Sequence, residues 1–65
     1  MNLYDIKIKE YKNGSWVTYE KQPNFYILKL YKSNGELYDK LLVDDYRSSR
    51  EYFRAFCAIA KNGGA

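Results

Sequence analysis

The chain has 65 residues, which is the length of one small domain covering residues 1–65. Its 11 Lys and Arg outweigh its 8 Asp and Glu to give a net charge of +3, so it lacks the acidic surplus of a DNA mimic. It has no His and a single Cys, which excludes an internal disulfide, a cysteine zinc site and histidine-dependent catalysis.

The same composition indicates a non-catalytic cytoplasmic protein. A secreted domain this small normally carries several disulfides, so one Cys favours the cytoplasm. No apolar run approaches the roughly 20 residues of a membrane span, so we expect no membrane partner. The carboxylates are scattered and no glycine-rich phosphate loop is present. We therefore predict no catalytic residue, no metal site and no cofactor.

The first hairpin is indicated by Asn13-Gly14 between two alternating apolar runs. A two-residue type I′ turn needs positive φ at both central positions, which Asn followed by Gly provides. Counting outward from that turn gives the strand register. The predicted pairs are Tyr11 with Trp16, Ile8 with Tyr19, and Lys7 with Glu20.

The second hairpin is indicated in the same way by Asn34-Gly35. The predicted pairs are Tyr31 with Tyr38, Leu28 with Leu41, and Tyr26 with Val43. Residues 21–24, around Pro23, connect the two hairpins and are the weak link of the prediction. A bulge there would turn one hairpin over relative to the other.

Side chains alternate across a strand, so these registers sort them onto two faces. The predicted core face carries Tyr4, Ile6, Ile8, Val17, Tyr19, Tyr26, Leu28, Leu30, Leu41 and Val43. The predicted open face carries Lys7, Lys9, Tyr11, Trp16, Thr18, Glu20, Phe25, Ile27, Lys29, Tyr31, Tyr38, Lys40 and Leu42.

After Val43 the apolar spacing changes to that of a helix. Residues 48–51 match a capping box with Ser48 as N-cap and Glu51 reaching back, which predicts a helix from residue 49 to about residue 61. Asn62, Gly63 and Gly64 form a C-terminal stop. We expect Phe53, Phe56, Cys57 and Ala60 to pack on the core face, with Cys57 as a small apolar filler. The fold class is α+β: a four-stranded antiparallel meander followed by one helix, ββββα.

The open face is the first candidate site, because one helix covers only one side of a sheet. Its predicted partner-binding residues are Lys7, Lys9, Tyr11, Trp16, Phe25, Lys29, Tyr31, Tyr38 and Lys40. An exposed cluster of rings is typical of an interface. The alternative interpretation is structural, since Tyr and Trp favour strands and Lys discourages edge pairing.

The outer stripe of the helix is the second candidate site. It carries Arg47, Arg50, Arg54 and Lys61. Arg side chains three and four residues apart project together and bind phosphate or carboxylate groups well. The alternative is an ordinary solvated face balanced by Glu51.

Three functional hypotheses follow. The first is a small binding protein that modulates or inhibits a partner protein by stoichiometric occlusion, of the kind that phages and mobile elements encode. The second is a nucleic-acid-binding module whose rings stack on bases while lysines follow the phosphates. The third is a homodimer that buries the aromatic faces of two copies.

Overall fold

The computed structural model describes residues 5–63 and has the order ββββα. The strands are β1 (Asp5–Glu10), β2 (Trp16–Lys21), β3 (Tyr26–Tyr31) and β4 (Leu37–Val43), followed by helix α1 (Tyr46–Lys61). The four strands form one antiparallel sheet in the order β1-β2-β3-β4. The predicted fold class is thus confirmed. The predicted core position of Tyr4 and the last residue of the stop, Gly64, lie outside the described residues.

The turn between β1 and β2 differs from the prediction. The Gly14 amide donates to the Tyr11 carbonyl (2.9 Å) and the Tyr11 amide donates to the Ser15 carbonyl (3.0 Å). Only Gly14 has a positive φ (92°), so the loop is a three-residue type I turn closed by a glycine bulge, and the type I′ prediction is wrong. A Cβ on Gly14 would also lie 3.1 Å from the Cβ of Ser33 in the other turn.

A set of side-chain hydrogen bonds explains this choice of turn. The Asn13 amide donates to the Ala60 carbonyl near the end of α1 (2.7 Å), and Asn13 Oδ1 accepts from the Ser15 amide (2.9 Å). The buried Ser15 hydroxyl lies 2.6 Å from Asn13 Oδ1 and 2.9 Å from the same Ala60 carbonyl. These bonds tie the turn to the helix C-terminus, where carbonyls lack helical partners.

The extra loop residue shifts the β1–β2 register by one and turns β1 over. Lys7 pairs with Tyr19 and Ile8 pairs with Thr18, where the prediction had Glu20 and Tyr19. Ile6 and Ile8 therefore lie on the open face, 59% and 62% exposed, and not in the core as predicted. Lys7, Lys9 and Tyr11 move to the helix side of the sheet.

The second turn has the same three-residue geometry, with the Gly35 amide donating to the Lys32 carbonyl and the Lys32 amide donating to the Glu36 carbonyl (2.9 Å each). A bulge then restores the register, so the predicted pairs Leu28–Leu41 and Tyr26–Val43 are confirmed. The predicted Tyr31–Tyr38 pair is wrong. Tyr31 pairs with Leu37, and Tyr38 is the extra residue of the bulge.

The connection around Pro23 is regular. The Gln22 amide donates to the Phe25 carbonyl (2.8 Å), which leaves Pro23 and Asn24 as a two-residue loop. Proline suits the first central position of such a turn because its φ is fixed. The β2–β3 register continues without a bulge, with Tyr19 opposite Leu28. β2 and β3 therefore keep the relative orientation that the apolar pattern predicts.

The core lies between the helix and the two central strands. Helix α1 packs over β3 and β2 more than over β4. The buried apolar residues are Val17, Tyr19, Leu28, Leu30, Val43, Phe56 and Ala60, with Tyr11, Tyr26, Leu41, Phe53 and Cys57 around them. The opposite side of the sheet has no described element above it, and α1 packs far less against β1 than against the two central strands.

The helix begins earlier than predicted, because Asp45 and not Ser48 is the N-cap. The Asp45 carboxylate accepts from the Ser48 amide (2.8 Å), and this hydrogen bond lowers the pKa of Asp45. Ser49 is buried, donates to the Tyr46 carbonyl (2.6 Å) and accepts from the Tyr19 hydroxyl (2.7 Å). The predicted stop is confirmed at Gly63, whose φ is 70°.

Candidate functional site

The open face is the sheet surface opposite α1, and its residues follow from the observed register. It comprises Ile6, Ile8, Glu10, Trp16, Thr18, Glu20, Ile27, Lys29, Tyr31, Leu37, Lys40 and Leu42. One central row runs from Ile8 through Thr18 and Lys29 to Lys40.

Apolar side chains dominate the two edges of the open face. Ile6 and Ile8 stand on β1, while Leu37 and Leu42 stand on β4 and are 49% and 60% exposed. Between the edges, Trp16 stacks on Tyr31 with ring centroids 4.8 Å apart and an interplanar angle of 12°. This stack holds both rings at the turn end of the two central strands, so the rings lose little rotamer freedom on binding.

The charges on the open face are divided between its halves. Lys29 and Lys40 lie directly opposite each other on β3 and β4. Glu10 and Glu20 lie on β1 and β2. The open face therefore carries two basic and two acidic groups, with no net charge.

Four of the nine predicted residues, Trp16, Lys29, Tyr31 and Lys40, meet on the open face. Five do not. Lys7, Lys9 and Tyr11 lie on the helix side; Phe25 lies at the end of the sheet beside Tyr52; and Tyr38 occupies the bulge. The register shift explains the first three, and the loop and bulge explain the other two.

Sequence reasoning missed Ile6, Ile8 and Leu37 as open-face residues. Asn-Gly is also compatible with a three-residue loop ending in a glycine bulge, and that signal was present in both turns. The isoleucines of β1 alternate with charged residues in either register, so the strand itself holds no signal for the correct one.

Tyr11 packs against the core beside Cys57. Burial raises the pKa of Tyr11 to about 12, and its hydrogen bond with the Cys57 thiol adds to the effect. Tyr11 therefore packs on the helix side of the sheet and not on the open face, where the prediction placed it.

The helix stripe is only partly assembled. Arg47, Arg50 and Arg54 line one shallow groove together with Tyr46 and Glu51. Arg50 donates to the Tyr46 hydroxyl (2.9 Å), and its guanidinium carbon lies 5.8 Å from the centroid of that ring. The fourth predicted member, Lys61, does not line this groove and lies two turns beyond Arg54, about 10 Å along the helix axis.

A third surface, the basic cleft, was not predicted. It lies between β1 and the start of α1, holds about 280 Å³, and is lined by Lys7, Tyr19, Lys21, Tyr26, Tyr46, Arg50 and Phe53. Its aromatic wall includes an edge-to-face contact between Tyr19 and Phe53, 5.2 Å between centroids. The register shift creates this cleft, because it brings Lys7 to the helix side.

Comparison of the chain with protein families, with curated proteins and with solved structures finds no match. Within residues 5–63, no helix is both long and apolar enough to cross a membrane. The described part of the chain also holds no group of three or more Cys, Asp or Glu side chains placed to bind a metal ion.

Proposed function

We propose that this chain is a small non-catalytic binding protein whose open face docks on a partner protein and occludes it stoichiometrically. The supporting observation is that the exposed apolar residues Ile6, Ile8, Leu37 and Leu42 share the uncovered face with the Trp16–Tyr31 stack. Exposed apolar side chains that gather on one face of a small domain are typical of an interaction surface. Trp and Tyr are among the residue types that contribute most to binding energy at protein interfaces.

The charge of the open face favours a protein over a nucleic acid. Nucleic-acid affinity comes largely from cations that neutralise phosphates. Of the four lysines expected on this face, Lys7 and Lys9 lie on the other side, and Glu10 and Glu20 offset the remaining two. A protein surface that carries apolar groups and charges of both signs complements the open face better than a polyanion does.

The size of the open face favours a partner larger than a second copy. Four strands about 4.8 Å apart and six residues long at about 3.3 Å each give a flat area of roughly 400 Å². A standard interface buries about 800 Å² per partner. Face-to-face pairing of two copies falls short of that value, so we favour a partner whose contacts extend past the sheet onto the loops. The homodimer stays a separate prediction.

We assign the protein to the cytoplasm on its single Cys, and its size and composition suit a phage or mobile-element inhibitor. Occlusion requires only that the sheet cover the functional surface of the partner, so it needs no catalytic residue.

A positional cross-linking experiment tests the proposal. A photoreactive phenylalanine analogue replaces Ile8 on the open face or, as the matched control, Arg54 on the helix, and each protein is irradiated in cell extract. We expect a discrete protein adduct from position 8 that is absent from position 54 and is lost when Leu42→Lys is added. The purified pair should then form a one-to-one complex. Equal adducts from both positions, or an adduct indifferent to Leu42→Lys, would overturn the proposal.

A further inference from the structure

The outer edge of β1 presents unpaired backbone groups. In an antiparallel pair, hydrogen-bonded positions alternate. The Tyr11 amide bonds to Ser15, so positions 9 and 7 also bond toward β2, and the N–H and C=O groups of Ile6, Ile8 and Glu10 point outward. All six residues of β1 pair in one continuous register with β2, so this edge is straight.

The other edge of the sheet is less suited to pairing. β4 carries the bulge at Tyr38, and a bulge interrupts the row of backbone groups that an added strand would need. β1 has no such interruption along its described length. An incoming strand is therefore accommodated at β1 more readily than at β4.

The side chains of β1 define what an added strand should carry. Ile6 and Ile8 point to the open face, while Lys7 and Lys9 point to the helix side. Cross-strand neighbours interact directly, so apolar residues suit the first pair and carboxylates suit the second. The complementary segment alternates acidic and apolar residues.

The basic cleft adjoins this edge through Lys7. Lys21 and Arg50 add two more cations, and the lining includes no carboxylate. Its volume of about 280 Å³ is at the lower limit of small-molecule pockets, so it accommodates one side chain rather than a cofactor. The bond from Arg50 to the Tyr46 hydroxyl holds the guanidinium at the cleft, where four of its five N–H donors remain after that bond.

We propose that the β1 edge and the basic cleft together form a second binding site, for an extended acidic segment of a protein. The segment adds as a fifth antiparallel or parallel strand, places carboxylates beside Lys7 and Lys9, and puts one acidic side chain into the cleft. This site does not depend on the proposed function of the open face, because its backbone groups lie at the sheet edge and its cations lie on the helix side, and it shares only Ile6 and Ile8 with that face.

The edge chemistry selects a peptide over a nucleic acid. The outward groups of Ile6 and Ile8 include both N–H donors and C=O acceptors. A peptide backbone supplies both complements. A phosphodiester backbone supplies only acceptors, so it would leave the carbonyls unmatched.

The test uses the full isotope-labelled chain and an acetylated hexapeptide that alternates glutamate and valine. We expect the amide signals of Ile6 and Ile8 to shift and their hydrogen exchange to slow, with no comparable change along β4. Lys7→Glu should weaken binding by about fivefold or more, and Arg50→Gln should weaken it less. Lys40→Glu makes the same charge change on the open face and should leave the affinity unchanged.

Two control probes complete the design: a peptide of the same composition with its glutamates in one block, and a single-stranded oligonucleotide of equal charge. Both should bind more weakly than the alternating peptide. Four results would each overturn the proposal: unchanged β1 amides, equal losses in Lys7→Glu and Lys40→Glu, equal binding of the blocked peptide, or stronger protection by the oligonucleotide. Circular dichroism of each variant confirms that a loss of binding is not a loss of folding.

Discussion

Truncating Ile8 distinguishes the observed register from the one that a two-residue turn would impose. Ile8 is 62% exposed, so about two fifths of the side chain is covered. Full burial of such a side chain contributes about 1.5–3 kcal/mol, so the covered part contributes about 1 kcal/mol at most. Ile8→Ala should therefore lower the free energy of unfolding by less than about 1 kcal/mol. In the alternative register Ile8 would face Tyr19 in the core, and the same truncation would cost about 2–5 kcal/mol.

Leu28→Ala is the matched control, because Leu28 is fully buried and loses the same number of carbon atoms. Urea denaturation, followed by circular dichroism, measures both variants against the unsubstituted chain. We expect Leu28→Ala to cost about 2–5 kcal/mol, a large part of the stability of so small a domain. Comparable losses in the two variants would refute the assignment of β1 to the open face.

Three further predictions concern single interactions. Asn13→Ala should lower the free energy of unfolding by about 2 kcal/mol in urea denaturation, because it removes one bond to Ala60 and one from the Ser15 amide; an unchanged midpoint would contradict the role of the turn. Tyr11→Phe should remove one tyrosine ionisation near pH 12 from an absorbance titration and flatten the stability profile, since a raised pKa contributes stability below pH ~10 that is lost as the pH rises toward 12. Asp45→Ala should reduce the thermal midpoint at neutral pH and have less effect in acid, because a lowered carboxyl pKa contributes stability that disappears as the pH falls; an equal effect at pH 2 and pH 7 would contradict the capping role.

Element type and order could be predicted from the sequence because local signals agreed. Turn residues separate short alternating runs, the apolar spacing changes to three and four after Val43, and Gly63 ends the helix. The pairing of β2, β3 and most of β4 follows from the same alternation. These features depend on residues close together in the chain.

The orientation of β1 could not be predicted because a distant contact decides it. Asn13 and Ser15 bond to Ala60, 47 and 45 residues away, and this holds the turn in the three-residue form. The second turn has the same form, yet the bulge at Tyr38 cancels its effect on the register. The first turn has no compensating bulge, so its extra loop residue exchanges the isoleucines and lysines of β1 between the two faces. The candidate site thereby changes from a basic aromatic surface to a mainly apolar one.

The start of the helix was missed for a related reason. Ser48 and Glu51 satisfy the capping-box pattern, but Asp45 lies one turn earlier and accepts the same kind of bond with a full negative charge. With that start, Ser49 lies within the first turn of the helix, where its buried hydroxyl forms a hydrogen bond with the Tyr19 hydroxyl. The sequence fits an N-cap at either Asp45 or Ser48, and only the packing of the first helical turn decides between them.

The most direct test of the open face as a docking surface uses the single tryptophan of the chain. Trp16 lies on that face at the turn end of β2, stacked on Tyr31, so fluorotryptophan labelling places one fluorine NMR reporter there. The protein captured by cross-linking at position 8 is added unlabelled until the complex is saturated. We expect the free signal to be replaced by a shifted and broadened one at one equivalent of partner. A saturated complex in which the fluorine signal keeps its free position would contradict it.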